Sequence, residues 1–155
     1  MSWIFWMPLG AVILHIIEEF VFPGGFANWD REFRPSIRSS ITSRLHIVVN
    51  GLLTLLGVSV GIDGQTPIGV ALWLALAALV ASNAVFHVIG TVWTRRYSPG
   101  VVTGVCIYIP LAVWGYPHFL RSGSVSGATA LVAALLGGSY HFWAAGLHAL
   151  RTRHG

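Results

Sequence analysis

The sequence predicts an all-α integral membrane bundle of five transmembrane helices, which forms a single domain over residues 1–155. Three observations support this fold class. The chain is 55% hydrophobic and only 9% charged, whereas a soluble domain has roughly 25% charged residues. Its mean hydropathy is +0.72. Five apolar stretches approach the length of about 20 residues that a helix needs to cross a bilayer.

The five predicted helices follow one another with short connections, except for a polar segment from 23 to 44. They cover about residues 3–22, 45–62, 68–93, 101–120 and 125–150. Pro23 and the Ser98-Pro99-Gly100 turn are typical helix terminators. Within the fourth helix, Pro110 and Pro117 predict kinks, because proline cannot donate an intrahelical hydrogen bond. Small residues at helical spacing, namely Gly57 and Gly61, then Ala130, Ala134 and Gly138, suggest close helix contacts. A chain this rich in glycine and alanine also produces such spacings by chance.

The arginines predict the orientation. All nine basic residues are arginines, and eight of them lie in the 23–44 segment, at 95–96 and in the C-terminal tail. Because arginine is enriched in cytoplasmic segments, we expect the N-terminus outside and the C-terminus in the cytoplasm. The expected location is the cell membrane, as a multi-pass protein of a bacterial inner membrane. Arginines placed between apolar runs are topology signals, so we expect no nucleic-acid partner.

Polar residues recur on four of the predicted helices. The first helix carries His15, Glu18 and Glu19, whose offsets of three and four residues place them on one face. The other helices carry pairs one or two turns apart: His46 and Asn50, Asn83 and His87, and His141 and His148. Taking the helix directions into account at 1.5 Å per residue, these residues fall in one layer, the cytoplasmic half of the membrane.

Ionisable residues at this depth are costly, so they are candidates for function. A single histidine or asparagine can equally bind a neighbouring helix and serve only packing. Glu18 and Glu19 are different, because two adjacent carboxylates repel each other unless a proton or a cation neutralises them. His148 and His154 are close to the tail, and we expect them at the interface.

These residues also resemble the bacterial HxxEE membrane family. The matching pieces are His15-Ile-Ile-Glu18-Glu19, Asn83-Ala-Val-Phe-His87, and Arg96-Tyr97-Ser98-Pro99-Gly100 followed by Thr103. The resemblance covers almost the whole chain, and the three motifs together are specific. It implies a shared site on these residues, but the family has no settled biochemical function, so it does not name a reaction.

The side chains suit a divalent metal, zinc or iron. In this hypothesis the ligands are His15, Glu19 and His87 or His141, and Glu18 is free as the general base that activates a water. Asn83 and Asn50 would orient ligands or polarise a carbonyl. Arg96 and Tyr97, together with His46, would hold the substrate. Alternatively, the Arg96–Gly100 segment is simply a tight turn that begins the fourth helix. The expected enzyme is a membrane-embedded, metal-dependent hydrolase or oxidoreductase that acts on a lipophilic substrate near the cytoplasmic leaflet, with hydrolysis the favoured reaction.

Two other function classes stay open. A glutamate buried in hydrocarbon can stay protonated and act as a general acid. That chemistry, without a metal, would suit an isomerase or cyclase of a lipophilic, terpenoid-like substrate. The third class is a small proton or cation carrier. In each case the expected partners are a lipophilic small molecule and membrane lipid, and the sequence leaves the oligomeric state open.

Overall fold

The computed structural model describes residues 2–153, and all regular elements in that range are helical. A 3-10 turn, Ser2–Trp6, precedes α1 (Met7–Phe20). A short helix, α2 (Phe26–Phe33), and a second 3-10 turn, Pro35–Ser40, connect α1 to α3 (Ser43–Asp63). The remaining helices are α4 (Pro67–Thr94), α5 (Val101–Thr103), α6 (Ile109–Arg121), α7 (Gly127–Gly138) and α8 (Tyr140–Arg153). A π-helical segment, Gly104–Tyr108, joins α5 to α6.

Five helical stretches are long and apolar enough to cross a membrane, as the sequence predicts. They are Trp3–Phe20, Ser43–Asp63, Pro67–Thr94, Val101–Arg121 and Gly127–Arg151. Their limits differ from the predicted ones by one to two residues at most ends. The second stretch begins earlier because Thr42 caps it, its side chain accepting a hydrogen bond from the Leu45 amide. The fifth begins later, after Ser126, which accepts a hydrogen bond from the Thr129 amide.

Helix α4 forms the centre of the bundle. It is the longest helix, and Trp73, Leu74, Leu76 and Ala77 on it are fully buried. The Trp73 indole donates a 3.0 Å hydrogen bond to the Ile4 carbonyl, which ties the N-terminal turn to α4. Helices α1, α3, α6 and α7 pack around α4. The central helix therefore carries its own polar residues, Asn83 and His87, into the middle of the bundle.

Small residues allow close helix contacts at some of the predicted positions. A methyl group at Gly57 would lie 3.1 Å from the Leu9 Cα, and one at Gly61 would lie 2.5 Å from the Trp6 ring. On α7 the prediction of a face over Ala130, Ala134 and Gly138 is wrong. The buried face is Ala130, Ala133 and Gly137, and Gly138 is exposed. The helix is rotated so that Gly137 meets the backbone of α4, where a Cβ would lie 2.1 Å from the Ala75 carbonyl oxygen.

Two spanning stretches depart from regular α-helix. The π-helical segment immediately precedes Pro110, and the Ile109 amide reaches back to the Gly104 carbonyl. The helix is therefore irregular near Pro110, one of the two prolines predicted to kink it. The other, Pro117, lies inside α6. The last stretch is interrupted at Ser139, where the prediction has one continuous helix. Residues of α8, which follows the interruption, line one side of a cavity in the bundle.

The segments rich in arginine lie at one end of the bundle. Ser40, at the end of the second 3-10 turn, is hydrogen-bonded to His148 of α8 at 2.5 Å. The Arg96 guanidinium, after α4, pairs with Glu32 of α2. The connections at the other end contain only Asp63 and Arg121 as charged residues.

Candidate metal centre

Three buried side chains from α1 and α4 meet near this arginine-rich end. The Glu19 Oε1 atom lies 3.3 Å from His15 Nε2 and 3.2 Å from His87 Nε2. One ligand atom from each residue lies within 4.8 Å of the others. His15 and Glu19 share a face of α1 because they are four residues apart. The sequence-predicted ligands His15, Glu19 and His87 are thus brought together, and we name them the His–Glu–His cluster.

The far side of each imidazole is held by a hydroxyl group. His15 Nδ1 lies 2.7 Å from Thr103 Oγ1, and His87 Nδ1 lies 2.9 Å from Ser98 Oγ. Asn83, one turn before His87, has its amide nitrogen 3.1 Å and 3.2 Å from the two Nε2 atoms. Histidines that bind metals usually have the second ring nitrogen fixed in this way. Asn83 therefore occupies the predicted position beside the ligands.

Glu18 is next to Glu19 on α1, but its carboxylate has a different set of partners. Its carboxylate accepts hydrogen bonds from the Val102 amide at 3.0 Å and the Thr103 amide at 2.7 Å. These are N–H groups of the first turn of α5, which no intrahelical carbonyl can satisfy. The hydroxyls of Tyr97 and Thr103 also donate to it, each at 2.5 Å. All four contacts occupy this carboxylate and hold Glu18 at the start of α5; its predicted role as general base stays a prediction.

The Thr103 hydroxyl determines which nitrogen of His15 carries a proton. Thr103 has one hydroxyl proton, and it is directed to the Glu18 carboxylate, which can only accept. The Thr103 oxygen must therefore accept a hydrogen bond from His15 Nδ1. A neutral His15 then has no proton on Nε2. This atom accepts from the Asn83 amide at 3.1 Å and cannot donate to Glu19 Oε1, so the two acceptors repel each other at 3.3 Å. A metal ion or a proton between them would remove this repulsion.

The Ser98-Pro99-Gly100 turn closes the cluster on one side. Ser98 is fully buried, and a Cβ at Gly100 would lie 2.7 Å from the Cε1 atoms of both histidines. Gly100 also has a φ of +102°. Both this backbone conformation and the close histidine rings therefore exclude a side chain at this position. This fits the interpretation of the segment as a tight turn that begins the fourth helix.

Arg96 and Tyr97, the predicted substrate-binding residues, lie beside this turn. Arg96 pairs with Glu32 at the surface, and Tyr97 donates to Glu18. Partial burial and the hydrogen bond to Glu18 raise the pKa of Tyr97 to about 12, which keeps it a donor. Neither side chain lines the cavity beside the cluster.

A cavity of about 250 Å³ adjoins the His–Glu–His cluster. His15, Glu19, Asn83 and Tyr108 form part of its wall, and the Tyr108 ring packs against His15 with centroids 4.5 Å apart. The other predicted residues that line it are His46, Asn50 and His141. His141 stacks on Phe86 at 5.0 Å and lies outside the three-residue ligand group. Its predicted role as a ligand is not tested by this arrangement.

A second buried polar cluster, which the sequence patterns did not predict, lines the same cavity. Asp30 is fully buried and accepts two hydrogen bonds from Arg34, at 2.7 Å and 2.6 Å. The His46 Nε2 atom lies 3.8 Å from the same carboxylate. Burial raises the pKa of Asp30, but the hydrogen bonds and charges of His46 and Arg34 outweigh it and lower the pKa. The i,i+4 spacing of Asp30 and Arg34 is the sequence signal that could have revealed the pair.

The predicted interfacial position of His148 stays a prediction, and its side chain is buried within the protein. The residue is 5% exposed, lines the cavity and bonds to Ser40. This burial follows from the packing of α8 against the Pro35–Ser40 turn. His154 lies outside the described residues.

This geometry defines a class: an all-helical protein with five helices able to cross a membrane and a buried His–Glu–His cluster beside a cavity. Comparison with known families assigns the chain to one family. Residues 6–115 match the family described as a protein of unknown function with an HXXEE motif, and the chain belongs to that family. The motif is formed by His15, Glu18 and Glu19, and the matched range includes His87 but ends before His141.

The chain is also similar to a curated protein of Bacillus subtilis (strain 168), named Uncharacterized protein YrkK. The two are 26% identical over 114 residues, which is 72% of each chain. The comparison with solved structures finds no match.

Proposed function

We propose that this protein is a multi-pass membrane enzyme that holds one zinc or iron ion at His15, Glu19 and His87 and hydrolyses a lipophilic substrate. The observation that carries the proposal is the convergence of three ligand atoms within 4.8 Å at the wall of a cavity. Catalytic zinc sites commonly use three protein ligands, including the combination of two histidines and one glutamate. They leave one position open, and here the cavity adjoins the cluster.

The chain supplies the groups that such a site needs. A bound divalent ion would act as a Lewis acid toward the substrate or a water. Thr103 and Ser98 orient the two imidazoles, and Asn83 is placed to contact a polar group held at the cluster. Because Glu18 is occupied at the α5 terminus, we assign proton transfer to His141, which lines the same cavity.

The arginine distribution gives the orientation of the proposed site. If the arginine-rich end faces the cytoplasm, the cluster lies in the cytoplasmic half of the membrane. The mostly apolar cavity lining, from Leu53, Leu79 and Val80 among others, favours a lipophilic substrate.

Elemental analysis of the purified protein, prepared without a histidine tag, tests the proposal. We expect about one zinc or iron per chain, and a strong loss of metal in His87→Ala. His118→Ala is the matched control, because His118 lies in the last turn of α6, on the side away from the cluster, and stacks on Trp114. It should keep the full metal content.

A low metal content would contradict the proposal. If well-folded, active protein carries well under one metal per chain, a proton must separate Glu19 from His15. The leading function is then acid–base catalysis without a metal, as in an isomerase or cyclase of a lipophilic substrate.

A further inference from the structure

The Asn83 amide lies against both histidines of the His–Glu–His cluster. Its nitrogen is 3.1 Å from His15 Nε2 and 3.2 Å from His87 Nε2. The Glu19 Oε1 atom lies 3.3 Å and 3.2 Å from the same two ring nitrogens. Each imidazole nitrogen therefore has one carboxylate oxygen and one amide atom at nearly the same distance.

These distances match the spacing of ligand atoms around one small divalent ion. Zinc binds imidazole nitrogen and carboxylate oxygen at about 2.0–2.1 Å, so neighbouring ligand atoms of a tetrahedral site are about 3.3 Å apart. The four distances that join Asn83 and Glu19 to the two imidazoles all lie between 3.1 and 3.3 Å. The amide group is therefore at the distance from both imidazoles that a fourth ligand requires.

The amide hydrogens are directed at the lone pairs that a metal would use. The Asn83 nitrogen has two hydrogens, and both Nε2 atoms are within its reach. A cation between the imidazoles would repel these hydrogens, so the amide must turn when an ion binds. The smallest such movement is a rotation of 180° about the Cβ–Cγ bond. It exchanges two atoms of nearly equal size and puts the oxygen, which has two lone pairs, where the nitrogen was.

The location of Asn83 is suited to this role. It precedes His87 by four residues on α4, so the two side chains share a face of the helix. Asn83 also lines the cavity together with His15 and Glu19. An amide oxygen is a neutral ligand, so it would add a donor to the site without placing a second negative charge beside the Glu19 carboxylate.

We infer that Asn83 binds the metal directly through Oδ1, as a fourth protein ligand beside His15, Glu19 and His87. The inference rests on the proposed function, because it adds a ligand to the same site. The position open to water or substrate is then a fifth one, on the side of the cavity. Catalytic zinc sites can expand to five ligands in this way.

Two substitutions of Asn83 test the inference. Asn83→His puts a ring nitrogen, Nδ1, at the same number of bonds from the backbone as the amide oxygen. X-ray absorption of this variant, loaded with one equivalent of zinc, should show three imidazole ligands, whereas the wild type should show two. Asn83→Leu has a similar size and no ligand atom. It should lower the zinc affinity in chelator competition by at least about 10-fold, the smaller loss that is typical of an outer partner.

Asn28→His is the matched control for an added histidine. Asn28 is an exposed residue of α2 that accepts a hydrogen bond from Arg31. This variant should show two imidazole ligands and bind zinc as the wild type does.

The outcomes separate this inference from the proposed function. Two imidazoles in Asn83→His, or a zinc affinity of Asn83→Leu equal to or above that of the wild type, would overturn the inference and leave the site of three ligands in place. A wild type that binds neither zinc nor iron would overturn both. If the variants behave as expected but the wild type hydrolyses no lipophilic ester, only the proposed reaction fails.

Discussion

At the scale of single residues, the two adjacent glutamates have different tasks. Glu19 faces His15 and His87 and completes the set of three ligand atoms. Glu18 is turned about 100° around α1 from Glu19. It caps the first turn of α5 with three hydrogen bonds, two from backbone amides and one from the Thr103 hydroxyl, and accepts a fourth from Tyr97. The spacing of the HXXEE motif follows from this, since the first and last residues serve the cluster and the middle one holds a neighbouring helix. Glu18 still influences the cluster. It accepts a hydrogen bond from the Thr103 hydroxyl, and this orients the Thr103 oxygen toward His15 Nδ1.

The first prediction concerns Thr103. Thr103→Val keeps the shape of the side chain but removes the hydroxyl that accepts from His15 Nδ1. Loss of such a partner typically lowers metal affinity by about 10- to 100-fold, and we expect a decrease of this size in chelator competition at pH 7. Thr103→Ser retains the hydroxyl and should bind metal as the wild type does. Equal affinity in the valine variant would show that Thr103 serves only packing.

Helical spacing alone predicts part of this site. The four-residue offsets of His15 with Glu19 and of Asn83 with His87 place these residues correctly. The sequence suggests a free Glu18, because its partners Val102 and Thr103 are more than 80 positions away and involve backbone amides. Such contacts leave no trace in local spacing.

At the scale of helices, packing depends on which glycines face a neighbour. Helix α7 lies so close to α4 that Gly137 meets the backbone at Ala75, whereas nothing lies within 4 Å of a Cβ at Gly138. The helices themselves are predictable because runs of about 20 apolar residues are a strong signal. The interruption at Ser139 is not predicted, because it follows two glycines within an otherwise continuous apolar run.

A pair of adjacent variants tests the helix contact. Gly137→Ala should lower the apparent Tm in detergent, because overpacking against backbone costs about 1–3 kcal/mol. Gly138→Ala should leave the Tm unchanged or raise it slightly, since alanine favours helix more than glycine does. If both variants behave alike, or if Gly138→Ala is the more damaging, Gly137 does not face α4 and the orientation of α7 is wrong.

At the scale of the whole molecule, the arginine-rich segments gather at one end, next to the buried polar clusters. Contacts such as Ser40–His148 and Arg96–Glu32 join these segments. The other end is nearly free of charge, with Asp63 and Arg121 as the charged residues of its connections. This asymmetry is the basis of the proposed orientation, which stays a prediction from charge counts along the sequence.

Reporter fusions test the orientation. A reporter that is active only outside the cytoplasm should be inactive at the C-terminus, and a fluorescent cytoplasmic reporter should be active there. The first reporter inserted between Ser122 and Ser126 should be active, because that connection lies at the opposite end. Reversed activities would place the cluster in the outer half of the membrane.

The coordination of a bound metal tests the central claim most directly. X-ray absorption of the zinc-loaded protein should show two imidazole ligands at about 2.0–2.1 Å, with the remaining ligands being oxygen at about 2.0–2.2 Å. In His87→Ala, loaded with excess zinc, the metal that still binds should show one imidazole, and both imidazoles should stay in His141→Ala. A first shell of oxygen alone, or the loss of an imidazole in His141→Ala with none lost in His87→Ala, would contradict the assignment of His15, Glu19 and His87 as the metal ligands.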